Sequence, residues 1–192
     1  AAAEKIIAEA REGKEVAVVS DAGMPVISDP GNVVCAMLKA EGVPYTVVPG
    51  ANAALSALIL SAMPADRFAF LGFLPDKQGE RKRLLEKYRQ LDLTLIFHAA
   101  PQDVDRYVAD MYSVFGDRPA CAVREITKLH EEAVPFSLKE GLGGEKRGEY
   151  VLIVGGAEEE CELNNLSEEE IKRAAKDRGV PKSQLYKFGI NL

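Results

Sequence analysis

Two hydrophobic rhythms alternate along the chain. Ile6, Ile7 and Ala10 recur at helical spacing among the charges of residues 3–12, and Gly13 is placed to stop that helix. Val16-Ala17-Val18-Val19 is a short continuous apolar run and predicts a strand over about 15–20. Val34, Met37 and Leu38 restore the helical spacing up to Glu41-Gly42, and Val43-Pro44-Tyr45-Thr46-Val47-Val48 predicts a second strand. Strand, helix, strand in this order predicts a right-handed crossover to a parallel neighbour. Residues 53–60 are almost wholly apolar and rich in small side chains, the composition of a buried packing helix.

Pro64 and Asp66 break the pattern and mark a boundary. Beyond them, Phe68–Phe73, Leu93–His98, the run from Ala120 and the run ending at Val154 read as strands, and Pro101 opens a helix carrying Val104, Tyr107, Val108, Met111 and Val114 to a stop at Gly116. Glu158-Glu159-Glu160 begins an acidic linker. Ser167 with Glu170 then forms a capping box, and Pro181 starts a second short helix. Those two helices either touch a partner nucleic acid or pack as a lid. The expected organisation is an α/β domain over 1–64, a second α/β domain over 65–156 and a helical appendage over 157–192.

Between the first predicted strand and the helix at Val33 lies Ser20-Asp21-Ala22-Gly23-Met24-Pro25-Val26-Ile27-Ser28-Asp29-Pro30-Gly31. Glycine opens backbone conformations closed to other residues, proline fixes a torsion, and Asp and Ser bond nearby amides, so this stretch is a stiff polar loop. It is either a surface crossover or, at a strand's carboxyl end, a ligand loop. Pro49-Gly50-Ala51-Asn52 leads into the small-residue helix, whose first turn offers backbone amides to an anionic group such as a carboxylate.

The 192 residues are 47% hydrophobic and 28% charged, ordinary for a globular protein. The longest apolar stretch, near 53–63, is interrupted by serines and is too short for a membrane span of about 20 residues. The opening Ala1-Ala2-Ala3-Glu4-Lys5 reads as a helix and not as a secretory signal, so the cytoplasm is the expected location. Three cysteines without pairing or ligand spacing, and only two histidines, argue against a metal enzyme. The net charge of −6 is adverse to phosphate binding overall, so any nucleic-acid partner must use a local patch. Lys77, Arg81, Lys82 and Arg83, followed by Lys87 and Arg89, are the most basic stretch. They form either a solvated helix face or a phosphate contact.

The loop from Ser20 to Gly31 closely resembles the Ser-Asp-Ala-Gly-Thr/Met-Pro-x-Ile-Ser-Asp-Pro-Gly signature of the small-subunit ribosomal RNA methyltransferase I family, within the tetrapyrrole methylase superfamily. Pro49, Gly50, Ala53 and Ala54 match that family's Pro-Gly-x-x-Ala-Ala turn. Arg124-Glu125-Ile126-Thr127-Lys128 matches its Arg-Glu-Leu-Thr-Lys, and Arg147–Val154 its last strand. The resemblance implies a tetrapyrrole methylase-like fold of two α/β domains with a donor cleft between them. It also implies S-adenosylmethionine as cofactor, the ribose 2′-hydroxyl of a cytidine in 16S ribosomal RNA of the 30S subunit as acceptor, and a homodimer. Ser20, Asp21, Ala22, Gly23, Met24, Pro25, Ile27 and Ser28, with Pro49, Gly50, Ala53 and Ala54, become the expected donor-binding residues. Lys77, Arg81, Lys82 and Arg83 become the expected RNA contacts.

Family members carry several tens of residues ahead of the matched region, with the first strand and a further donor loop, so the first domain is expected to be truncated here. Met24 stands for the more frequent Thr and Gly155 for a Glu. His98-Ala99-Ala100-Pro101-Gln102-Asp103 stands for Tyr-Glu-Ser/Ala-Pro-His-Arg, which puts one RNA or donor contact in doubt. Methyl transfer from a sulfonium needs mainly alignment, and a ribose hydroxyl needs a base or a polarising cation. Glu125 and Lys128 are the candidates for that work; the other reading is a structural ion pair with Arg124. The rival functions are a methylase acting on a porphyrin or corrin precursor, and a non-catalytic remnant that binds RNA or a partner chain.

Overall fold

The computed structural model describes residues 2–21, 23–28, 31–157 and Arg173. Its elements are α1 (Ala2–Arg11), α2 (Asn32–Ala40), α3 (Ala53–Ser61), β1 (Phe68–Phe73), α4 (Gln78–Glu86), β2 (Thr94–Ala99), a single 3-10 turn (Pro101–Asp103), α5 (Val104–Phe115), β3 (Pro119–Arg124), β4 (Glu132–Ser137) and β5 (Tyr150–Val154). The strands form one sheet in the order β1-β2-β5-β3-β4. β1 and β2 are parallel, whereas β5 is antiparallel to both β2 and β3, and β3 is antiparallel to β4. It follows that β1, β2 and β3 all run one way, and their carboxyl ends share one end of the sheet.

Both faces of the sheet are sealed, which is why its central strands read as continuous apolar runs rather than alternations. Leu95, Phe97, Ala120, Ala122, Leu152 and Val154 point to one face and pack with Leu85 of α4 and with Val104, Tyr107, Val108 and Met111 of α5. Alternate residues on the same strands, Ile96, Cys121, Val123, Val151 and Ile153, meet Ala54, Ala57 and Leu58 of α3 on the other face. The small side chains of α3 thus do what their sequence suggests: they let a helix lie close on a sheet. That helix starts at Asn52, whose side-chain oxygen accepts the Leu55 N–H at 3.1 Å, a cap for one of the donors that every helix start leaves open.

Two expectations are corrected. Residues 14–20 and 43–50 take no regular secondary structure and form no ladder, so the strands predicted over 15–20 and 43–48, and the parallel crossover between them, are not formed among the described residues. A β-favouring segment becomes a strand only through a hydrogen-bonded neighbour, and these find none; Val19 is 85% and Val48 83% exposed. Conversely, β4 lies in a stretch that carries no strand signal. Its Pro135 cannot donate to a ladder, which is tolerated because β4 is an edge strand paired only to β3. The helical appendage predicted over 157–192 lies outside the described residues apart from Ala157 and Arg173, as do Ala22, Asp29 and Pro30 of the loop.

Candidate methyl-donor and acceptor site

Three separate segments meet beside the carboxyl end of β1. A Cβ on Gly23 would stand 3.1 Å from the Ala51 carbonyl, one on Gly50 3.6 Å from Met24 Cγ, and one on Gly72 3.4 Å from Ser28 Oγ. The loop over 23–28 therefore lies against both the turn over 49–52 and β1. Gly72 has φ +63° and interrupts the β1–β2 register, since Phe70 pairs with Ile96 while Gly72 pairs with Phe97. This is a bulge, and glycine at that point lets the loop approach. Within the loop, Val26 has φ +75° and Ser28 φ +62°. Left-handed backbone at a β-branched residue is a true outlier, and such conformations concentrate at ligand loops. Gly23, Met24, Ser28 and Gly50 are thus brought together here. Ala54 is buried against the sheet, whereas Ala53 and Asp21 face solvent.

A second strained loop follows β3 at the same end of the sheet. Glu125 and Thr127 have φ +49° and +67°. The Glu125 carboxylate accepts from the Lys128 ammonium at 3.0 Å and from the Glu149 backbone N–H at 3.0 Å, and Lys128 also reaches the Glu149 carboxylate at 3.2 Å. The Glu149 amide first, and Lys128 second, hold the Glu125 carboxyl below its ordinary range. Glu125 and Glu149 together raise Lys128 above its ordinary value. At neutral pH the pair is a fixed anion holding a fixed cation. Gly148, at φ +79°, makes room for it: a Cβ there would fall on the Glu125 carboxyl group, 2.7 Å from its Cγ.

Three rings that sequence reasoning left aside lie at this end, on the face that α3 covers further down. His98 stacks on Phe73 with centroids 5.4 Å apart and meets Phe70 edge-on at 5.2 Å. Burial pushes the His98 imidazole below its ordinary value, partly offset by the nearby Glu149 carboxylate. The only sequence signal for this cluster was the departure of His98 from the family's Tyr.

The basic stretch divides. Arg81 turns inward and is 3% exposed. Its guanidinium donates to Asp110 at 2.7 Å and to the carbonyls of Pro75 and Asp76 at 2.8 and 2.9 Å, so it does not face outward as expected for an RNA contact. Lys82 reaches Ser113 at 2.9 Å and Asp110 at 3.5 Å, and Lys77 pairs with Glu80 at 3.3 Å. Arg83 is exposed and makes no ion pair among the described residues. Two surface depressions of about 370 and 490 Å³ lie elsewhere, beside α5 and at the amino end of β3, and are lined by none of the expected site residues. Among the described residues there is no metal-binding cluster, and no helix is long and apolar enough to cross a membrane.

A mixed sheet sealed on both faces, with glycine-rich and strained loops gathered at the carboxyl ends of co-directional strands, defines an α/β protein and makes that end of the sheet the candidate ligand end. The family model described as Tetrapyrrole (Corrin/Porphyrin) Methylases matches residues 1–141, and the chain belongs to that family. Among solved structures, the methyltransferase CobJ superposes with a TM-score of 0.64 at 19% identity, covering 81% of this chain and 70% of that one. The uroporphyrin-III C-methyltransferase of Thermus thermophilus, complexed with S-adenosyl homocysteine, superposes with a TM-score of 0.56 at 21% identity, covering 80% of this chain and 71% of that one. Both show the fold. Within the family, the chain groups with ribosomal RNA small subunit methyltransferase I: that of Halalkalibacterium halodurans is 37% identical over 206 residues, 95% of this chain and 71% of the relative.

Proposed function

We propose that this chain takes part in S-adenosylmethionine-dependent methylation of small-subunit ribosomal RNA in the cytoplasm, at the 2′-hydroxyl of a cytidine ribose, and works as a homodimer. The observation that carries the reading is the meeting of the 23–28 loop, the 49–52 turn and the Gly72 bulge at the end of the sheet that also carries the Glu125–Lys128 pair. The residues fit the donor. Gly23, at φ +69° and with the Ala51 carbonyl 3.1 Å from where a Cβ would stand, holds the loop tight against the 49–52 turn, and the Ala53 and Ala54 amides at the start of α3 suit the carboxylate of a methionine moiety. When bound, the sulfonium supplies an electrophilic methyl group and its own leaving group. Ser20, Asp21, Ala22, Met24, Pro25, Ile27, Ser28 and Pro49 complete the proposed donor rim. With domain limits of 1–64 and 65–156, the donor position proposed is between the two units, although α3 of the first unit lies on the sheet of the second.

The chain's own work is then alignment and charge. Lys128, kept charged by Glu125 and Glu149, donates to the ribose oxygen and stabilises it as its proton leaves. Glu125, held ionised, orients Lys128 and offers a weak acceptor for that proton. Lys77, Lys82 and Arg83 contact RNA phosphates in a salt-sensitive way. A corrin or porphyrin acceptor is the rival reading, carried by the fold relatives, but at 19–21% identity these speak for fold alone.

Calorimetry with S-adenosylmethionine, followed by transfer of a tritiated methyl group to unmodified 30S subunits or to a tetrapyrrole, tests the reading. Donor binding with methylation of the subunit is expected. Donor binding with methylation of the tetrapyrrole alone overturns the acceptor, and absence of donor binding overturns the enzyme. Lys128→Ala is expected to lower turnover on the order of a hundredfold at unchanged donor affinity.

A further inference from the structure

Phe73 is a large apolar side chain left 59% exposed at the last position of β1, yet its surroundings are unusually fixed. The backbone just after it is held by buried side chains: the Tyr107 hydroxyl donates to the Leu74 carbonyl at 2.8 Å, and Arg81 donates to the carbonyls of Pro75 and Asp76. Beneath its ring lies His98, stacked at an interplanar angle of 29°, itself wedged against Phe70. One face of the Phe73 ring is therefore occupied and the residue remains mostly open to solvent. A single exposed phenylalanine needs no explanation. A ring that is backed, rigid and set four residues before Lys77, where α4 begins its exposed cations, has the makeup of a surface that reads single-stranded nucleic acid. Stacking on such a ring tolerates any base, and neighbouring cations track the phosphates.

We propose that the Phe73 ring, backed by His98, is a platform on which a base of the acceptor RNA strand stacks, at the end of the sheet that also carries the Glu125–Lys128 pair. This rests on the RNA acceptor proposed above and adds the element that would hold the nucleotide. The two components are complementary. The cations of α4 supply sequence-independent attraction that salt weakens, whereas the ring supplies an aromatic contact that salt leaves largely intact. Arg81 becomes a positioning residue, since it pins the turn that carries the ring.

The chain has no tryptophan, so Phe73→Trp introduces one reporter at the platform. Its fluorescence is followed while a short single-stranded oligocytidylate is added at low salt, with Phe68→Trp, 41% exposed at the opposite end of β1, as the control site. Saturable quenching at position 73 and none at 68 is expected, with weaker binding in a Lys82→Ala, Arg83→Ala background. Phe73→Ala is expected to bind the oligonucleotide about tenfold to a hundredfold more weakly, and Phe73→Tyr to restore binding. RNA binding without quenching at 73, or full affinity in Phe73→Ala, overturns the platform and leaves the methylase reading standing. Quenching by S-adenosylhomocysteine but not by RNA assigns the ring to the donor and also overturns it. If no variant and not the parent chain binds RNA, the platform falls with the RNA acceptor, while calorimetry with the donor still reports separately on the enzyme.

Discussion

Val123 on β3 and Val48 ahead of α3 are the same side chain in β-favouring sequence, yet the first is fully buried and the second is 83% exposed. The contrast holds for the regions around them. From β1 to β5 every strand has a hydrogen-bonded neighbour, and helices cover both faces. In residues 14–20 and 43–50 the same β-branched residues stand in segments without a ladder. What separates the two regions is therefore partnering and not composition. The candidate site lies where they meet, with the rigid sheet offering Gly72, Phe73, His98 and the Glu125 loop, and the less supported region offering the loop over 23–28.

The largest effect is expected at the deepest charge. Arg81 and Asp110 are paired at 2.6 Å with both side chains 4% exposed, and Gln78 adds a further bond to Asp110 at 2.8 Å. Without Arg81, the buried Asp110 keeps only Gln78 and the more distant Lys82 ammonium at 3.5 Å, so Arg81→Ala is expected to cost about 3 kcal/mol in urea unfolding, the low end for breaking a buried pair. A loss under about 1 kcal/mol would mean that the α4–α5 seam is not part of the cooperative sheet unit. The two valines come next. Val123→Ala removes two buried methyl groups at about 0.8 kcal/mol each and opens a cavity, for a total of about 2–3 kcal/mol. Val48→Ala should stay within about 0.5 kcal/mol. Equal costs would break the comparison, because they would show that residues 43–50 are as well packed as β3.

Gly148→Ala sharpens the comparison at the site itself. The position has φ +79°, which costs an L-residue about 1–2 kcal/mol, and the new methyl would also collide with the Glu125 carboxyl group. A stability loss of that size together with slower methyl transfer at unchanged donor affinity is expected. Loss of stability with transfer unaffected would reduce the Glu125–Lys128 pair to a structural clasp.

Much of the sheet region was legible in the sequence because its elements carry their own signals. Val104, Tyr107, Val108 and Met111 mark α5, Gly116 ends it, and the double-faced burial of β2, β3 and β5 leaves unbroken apolar runs. The failures have a common cause, which is that partners do not appear in local sequence. Val16–Val19 and Val43–Val48 have strand composition but no neighbour, whereas β4 has a neighbour and a proline that hides it. The loop over 23–28 was marked by its own Gly, Pro, Asp and Ser residues and then by motif resemblance, which also marked the Glu125–Lys128 pair. Arg81 misled because a basic cluster reads as surface until Asp110, 29 residues away, is seen to turn one member inward. Phe73, His98 and Glu149 were missed because strand pairing alone brings them to one place.

The smallest expected effect is a pH dependence confined to His98. Free imidazole takes its proton near pH 6.5, whereas burial lowers the value in the folded chain despite the pull of Glu149. Between the two values the unfolded chain binds more protons than the folded one, so stability rises with pH in that window and falls as the solution is acidified through it. Below the folded value both states are protonated and this contribution stops changing. His98→Phe keeps a ring beneath Phe73 and removes the titration. Comparing urea midpoints at pH 7.5 and 5.5, the parent chain is expected to lose more stability on acidification than His98→Phe. The carboxylates that weaken at low pH are common to both proteins and cancel in the difference. Identical pH profiles would mean that the imidazole is as well hydrated folded as unfolded, and so is not sealed between Phe70 and Phe73.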